Sequence, residues 1–182
     1  MPMSGTRYAI LFAFGADRPG IVRQVAGFVS GHGCNITDSR MAVLGGRFVI
    51  MMLVSGSEQQ LKGLGERIEE FCGESGLRIM LVDADDPRRV RAEPALPVRL
   101  EIVAMDAPGI LVRVADVLHK HGVNVENLES RAFPAPSSGS MVFSAKMLVM
   151  VPQKVPLSRV KQDLAALAEQ MNLEVLFQPV HE

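Results

Sequence analysis

Two short stretches of this chain are suited to meeting an anion. "GADRPGI" (residues 15–21) and "AMDAPGI" (104–110) each set Asp-x-Pro-Gly-Ile ahead of a helical pattern. Such a turn lines up backbone N–H groups at a helix N-terminus, where the partial positive charge favours an anion. Gly20 and Gly109 remove the side chain that would keep a ligand from that backbone. The carboxylate of a free amino acid fits there. Its ammonium would need acceptors, such as the side chains of Asn35 and Asp38 just after the helix. This is binding chemistry with no reacting group. The same residues are also an ordinary helix start, with Asp17 or Asp106 accepting N–H bonds near the cap. Spacing alone leaves both readings open.

Other reactive residue types are sparse. His32 and His121 precede Gly33 and Gly122, where a cationic side chain suits the negative end of a helix; a ligand contact is the second reading. There is no Gly-x-Ser-x-Gly, no phosphate-cradling Gly-x4-Gly-Lys and no His-Glu-x-x-His. Asp17 and Asp106 have no evident base or metal partner. Cys34 and Cys72 have neither disulfide-framework nor metal-ligand spacing, and both are expected as reduced, buried thiols. No catalytic residue, metal site or cofactor is expected.

Composition narrows the partners. Apolar residues at 48% and charged residues at 21% describe an ordinary globular chain. A net charge of −1 without a long basic run offers no nucleic-acid footprint. "GGRFVIM" (45–51) is similar to the aromatic strand of an RNA-recognition fold, but aromatics total 5%, with no Trp and one Tyr, too few to stack bases. Direct nucleic-acid contact is not expected. The apolar runs 8–14 and 48–54 fall far short of the roughly 20 residues of a spanning helix. Arg7 before the first run could suggest a signal peptide, but "VRLEIVAM" (98–105) holds the equivalent internal place. A cytoplasmic location without a membrane partner is expected.

The elements that must position the turns are duplicated. A shift of 89 residues carries Asp17 onto Asp106, Pro19 onto Pro108, Gly20 onto Gly109, Val25 onto Val114, His32 onto His121 and Asn35 onto Asn124. Each copy opens with a strand (7–14; 98–105), then the turn. A helix follows with apolar residues at Ile21, Val25, Phe28 and Val29, or at Ile110, Val114, Val117 and Leu118, which make one stripe. Strands are expected at 35–43 and 46–54, and at 124–133 and 140–151. One further helix is carried by Leu61, Leu64, Ile68 and Phe71, or by Val160, Leu164, Leu167 and Met171. Last strands close the copies at 77–83 and 173–178. The order β-α-β-β-α-β, twice, predicts an α+β chain of two ferredoxin-like domains. Each is a four-stranded antiparallel sheet with both helices on one face, because right-handed crossovers put them on the same side. The domains are expected at 1–84 and 98–182. The proline-containing, mixed-charge segment 85–97 is read as a linker, including its "RRVR".

Both copies resemble the ACT domain, a small regulatory module of amino-acid metabolism: a strand, "D-x-PG-[IV]", a helix, "G-x-N-[IV]" and three further elements. "GADRPGIV", "HGCNITDSRM" and "MMLVSGS" in the first copy are similar to the tandem-ACT family of glycine-cleavage-system repressors. The resemblance implies a non-enzymatic regulator that senses a small amino acid, glycine among the candidates, and controls transcription through a partner activator. The alternative is a stand-alone ACT sensor acting on a metabolic enzyme. ACT ligands generally sit where the first turn of one domain faces a neighbouring domain. Carried over by motif, the binding residues are Asp17, Arg18, Pro19, Gly20, Ile21, Asn35, Ile36, Thr37 and Asp38, with Asp106, Gly109, Ile110 and Asn124 in the second copy. Arg18 becomes Ala107 and Asp38 becomes Asn127, which favours the first copy as the working site. Unpaired sheet edges allow the two units to join edge to edge into an eight-stranded sheet, or to pair with another chain as a homodimer.

Overall fold

The computed structural model describes residues 5–88, 94–136 and 138–180. The chain divides into two units, Met1–Arg91 and Ala92–Glu182. In the first, strict alternation along β1 (Arg7–Ala16) turns Ala9, Leu11 and Ala13 inward, all essentially inaccessible. Helix α1 (Ile21–Gly31) lays Ile21, Val25 and Val29 on that strand. The chain returns through β2 (Asn35–Leu44) and β3 (Arg47–Gly56), then α2 (Glu58–Glu66), α3 (Ile68–Ser75) and β4 (Arg78–Ala84). The sheet is antiparallel with order β2-β3-β1-β4. Phe48, Ile50, Met52 and Val54 of β3, with Leu61 and Leu64 of α2, complete the core.

The second unit repeats this with β5 (Ala95–Met105), α4 (Ile110–Lys120), β6 (Asn124–Pro134), β7 (Met141–Pro152), α5 (Leu157–Met171) and β8 (Glu174–Pro179), in the order β6-β7-β5-β8. Val98, Leu100 and Ile102 of β5 meet Ile110, Val114 and Leu118 of α4 and Val160, Leu164 and Leu167 of α5. Two ferredoxin-like sheets, each with its helices on one face, are the architecture the duplication predicts.

Three local expectations change. The second helix of the first unit is broken: α2 and α3 meet at Arg67 (φ −101°, ψ 1°), whereas α5 runs unbroken for 15 residues. Gly63 and Gly65 weaken the last turns of α2, each by about 1 kcal/mol relative to alanine, and α5 contains no glycine. The expected linker 85–97 is shortened at its end, because β5 starts at Ala95, paired with Pro152. Pro97 is tolerated there since its carbonyl accepts from Val180 N–H just past the end of β8, so its missing donor falls outside that ladder. Residues 89–93, which hold most of the "RRVR" run, lie outside the described residues. Cys34 is buried at the site Val123 fills in the other copy, and burial pushes its thiol pKa up; Cys72 is only half-buried.

The face of each sheet turned away from the helices differs sharply between the copies. In the first unit three cross-strand rows cover it. They run Asp38–Leu53–Ile10–Val82, then Arg40–Met51–Phe12–Met80, then Ala42–Val49–Phe14–Arg78. The matching rows of the second unit are Asn127–Leu148–Arg99–Gln178, Glu129–Lys146–Glu101–Leu176 and Arg131–Ser144–Val103–Glu174.

Two outcomes follow from the packing. Leu100→Ala, at a fully buried centre, should lower the stability of the second unit by about 2–5 kcal/mol, read from that unit's transition in urea. Asp163 ties α5 to α4: Lys120 Nζ and His121 Nε2 lie 2.7 and 2.9 Å from its Oδ2. Hydrogen bonds from Lys120 first and His121 second hold its carboxyl below the ordinary carboxylate range. A depressed folded-state pKa contributes stability above the unfolded value and loses it as pH falls through the folded one. Asp163→Asn should therefore be less stable than wild type at neutral pH, with the gap closing in acid; denaturant midpoints across pH 2–7 measure it.

Candidate functional site

The first turn is shaped by its glycine. Asp17 N–H donates to Gly46 O at 3.1 Å, which holds the end of β1 against the β2–β3 hairpin. Gly20 then takes φ 84°, ψ 0°, the third position of a type II turn with Pro19 in the favoured second position. A Cβ on Gly20 would meet nothing within 4 Å, so backbone conformation rather than crowding requires glycine here. Pro19 therefore precedes the cap residue and is not the first helical residue. Gly109 repeats the geometry at φ 91°, ψ −4°, with Asp106 N–H on Met141 O at 2.9 Å.

The helix starts themselves are open. Neither α1 nor α4 has a side-chain cap or an acidic residue in its first turn, so neither Asp17 nor Asp106 caps its helix. By contrast, α2 is closed by a reciprocal pair, in which Ser57 N–H donates to Gln60 Oε1 and Gln60 N–H to Ser57 Oγ. The amides of the first turn of α1 therefore keep their partial positive charge. Asp17, Arg18, Pro19 and Gly20 are exposed, whereas Ile21 and Ile110 are 4% and 3% exposed and belong to the cores. Each isoleucine can offer a ligand its amide but not its side chain.

Arg18 makes contacts that motif reasoning missed. Its Nη2 donates to Gln24 Oε1 at 2.6 Å and to the Ser75 carbonyl at 3.0 Å, which clamps the turn to the end of α3. Gln24 lies one helical turn past Gly20 and was within reach of periodicity. Ser75, 57 residues away, left no local signal. The guanidinium adds positive charge to the first turn, and the second copy lacks it at Ala107.

Asn35, Ile36, Thr37 and Asp38 stand elsewhere. Asn35 pairs with Ser55, which pairs in turn through Tyr8↔Ser55 to the start of β1, while the turn follows its end at Ala16. Eight residues at about 3.4 Å each separate the two by roughly 27 Å. One free amino acid cannot touch both clusters of the same unit, so the expectation that Asn35 and Asp38 would receive the ammonium of a ligand on this turn fails within the unit. A β-bulge falls at Thr37, whose Oγ1 donates to Ser55 Oγ. Ile36 packs on the core. Asp38 is engaged by Arg40 Nη1 and by the Ser39 N–H, beside a hollow of about 140 Å³ lined by Ile10, Met51 and Leu53. Asn124 holds the matching exposed edge position on β6, ahead of a matching bulge at Glu126.

The histidines serve helix ends in two ways. His32 Nδ1 lies 2.8 Å from Phe28 O; since a carbonyl only accepts, Nδ1 carries the proton and satisfies a C-terminal carbonyl of α1. His121 reaches across to Asp163 instead. Among the described residues no group of three or more His, Cys, Asp or Glu is placed to hold a metal, and no helix is long and apolar enough to cross a membrane.

Comparison with known proteins gives this geometry a family. Models of the ACT domain match residues 7–82 and 98–169. The glycine cleavage system transcriptional repressor of Escherichia coli (strain K12) is 30% identical over 176 residues, covering 96% of this chain and 90% of its own. A solved Galdieria sulphuraria protein superposes with a TM-score of 0.85 at 26% identity, over 97% of this chain and all of its own. A solved structure described as a candidate glycine cleavage system transcriptional repressor shares the fold, with a TM-score of 0.71 at 21% identity over 97% of this chain and 99% of its own. Two open αL-glycine turns, each on a ferredoxin-like sheet, and a likeness that runs nearly end to end place this chain in the tandem ACT-domain family of the glycine cleavage system transcriptional repressor.

Proposed function

We propose that this chain is a non-enzymatic regulator that binds a small amino acid and, through a protein partner, controls transcription of the glycine cleavage system. One observation carries the ligand reading: the uncapped start of α1, its glycine backbone open to solvent, with the Arg18 guanidinium clamped alongside. The ligand carboxylate takes the amides that follow Gly20, and Arg18 strengthens its hold. Asp17 and Pro19 shape the approach. Asp106, Gly109, Ile110 and Asn124 form a weaker counterpart without the arginine. Asn35, Ile36, Thr37 and Asp38 take part only where a turn other than that of their own unit is brought up to them. The name of the Escherichia coli relative supports the regulatory half of the reading.

The ligand is tested by thermal unfolding against a panel that includes glycine and serine. A ligand at 100 times its Kd adds ~2.7 kcal/mol, a rise of several degrees for a protein of this size. Arg18→Ala, which installs the second copy's own residue, should remove most of that rise, while Asp38→Ala should keep it. Loss in Asp38→Ala alone would move the site to the hollow beside Arg40, and no rise at millimolar amino acid would leave the turns as helix starts only.

The partner half predicts that the purified chain, with net charge −1 and no basic run, does not retard promoter DNA by itself. A gel shift by the chain alone at physiological salt would contradict it.

A further inference from the structure

The two units serve as controls for each other. Both bury the helix-facing side of the sheet in the same way, so the other side is free to vary. In the second unit that side is solvated by Arg99, Glu101 and Lys146; the first unit carries Ile10, Phe12 and Met51 in those places. The fold thus has no need of an apolar outer face, yet the first unit keeps one. Met80 is 55% and Phe14 49% exposed, in adjacent rows. Contiguous apolar surface of this kind marks a contact site.

We infer that a second copy of this chain covers the face, sheet on sheet, with the strands of the two copies running in opposite senses. Charge selects this occupant. Arg47 and Arg78 stand at the Phe14 end of the rows, exposed and without an ion pair among the described residues. Asp38, bonded to Arg40, and Asp85, just past β4, stand toward the other end. A two-fold axis lying across the strands in the plane of the contact sets each copy's basic end against the other's acidic end. Size agrees. Four strands about 4.8 Å apart, over about eight residues at 3.4 Å each, present roughly 500 Å² per copy. The pair then buries roughly 1,000 Å², the least a specific interface needs. The contact is isologous and closes at two copies. It also leaves edge strand β2 unpaired, so it differs from edge-to-edge association. The inference stands apart from the ligand reading, and neither test decides the other.

Light scattering of the full chain at micromolar concentration tests it. Wild type should show a species of twice the 19.8 kDa chain mass. The double variant Phe12→Glu, Met51→Lys installs the residues the second unit already carries at these positions. It should run at the single-chain mass with an unchanged circular dichroism spectrum. Should that variant fail to fold, Met80→Lys, on edge strand β4, decides alone; it should raise the dimer dissociation constant by about tenfold or more. Met41→Lys, on the helix-facing side of β2, should leave the dimer intact. A monomeric wild type overturns the inference and leaves the face to a different protein. A folded double variant or Met80→Lys variant that stays fully dimeric overturns it too. Dissociation by Met41→Lys but not by Met80→Lys would assign the contact to the β2 edge.

Discussion

The first unit rests on the docking of one helical stripe against one strand. Ile21, Val25 and Val29 lie on β1 over the inward residues Ala9, Leu11 and Ala13. In the second unit Val98, Leu100 and Ile102 fill more of the same space, and α4 still docks through Ile110, Val114 and Leu118. Period two along the strand and period 3.6 along the helix must agree for this contact to form. A one-residue slip of β1 would bring Ile10, Phe12 and Phe14 inward and break it. Burying Ile21 at the first helical position also settles where the turn before it must point.

That docking explains why the turn carries an αL glycine. The chain leaves the end of β1, crosses to the helix layer and starts α1 within four residues, Asp17 to Gly20. The type II turn that makes this crossing needs positive φ at its third position, which Gly20 supplies. The same geometry leaves the first-turn amides without a cap and open to solvent. The uncapped, positive character of the turn is therefore a by-product of how the strand and helix are joined. What distinguishes the two turns is the added Arg18, held by Gln24 and by the carbonyl end of α3.

Duplication has preserved the joints and cores and let the surfaces diverge. The bulges at Thr37 and Glu126, the paired αL glycines and the core contacts recur. The helix opposite α1 has been split by glycines in one copy and kept whole in the other. His32 and His121 occupy the same aligned position, yet one closes its own helix and the other joins two helices, because among the described residues no carboxylate bonds His32 as Asp163 on α5 bonds His121.

The sequence by itself determined whatever repeats along the chain. The duplication, the strand and helix periods, the two turns and the ferredoxin-like order all follow from spacings within about ten residues or from the 89-residue shift. Tertiary structure alone decided what depends on register between distant segments. It put Asn35 and Asp38 far from the turn of their own unit, because α1 carries the chain back and β2 starts level with the start of β1, with β3 between them. It placed the Ser75 carbonyl on Arg18, and it gathered side chains from β1, β3 and β4 into one apolar face whose counterpart is charged. Local spacing fixes which side of a strand a residue faces. Which residues stand beside it across the sheet is set by strand pairing, and that pairing follows from how both helical stripes settle on the sheet together.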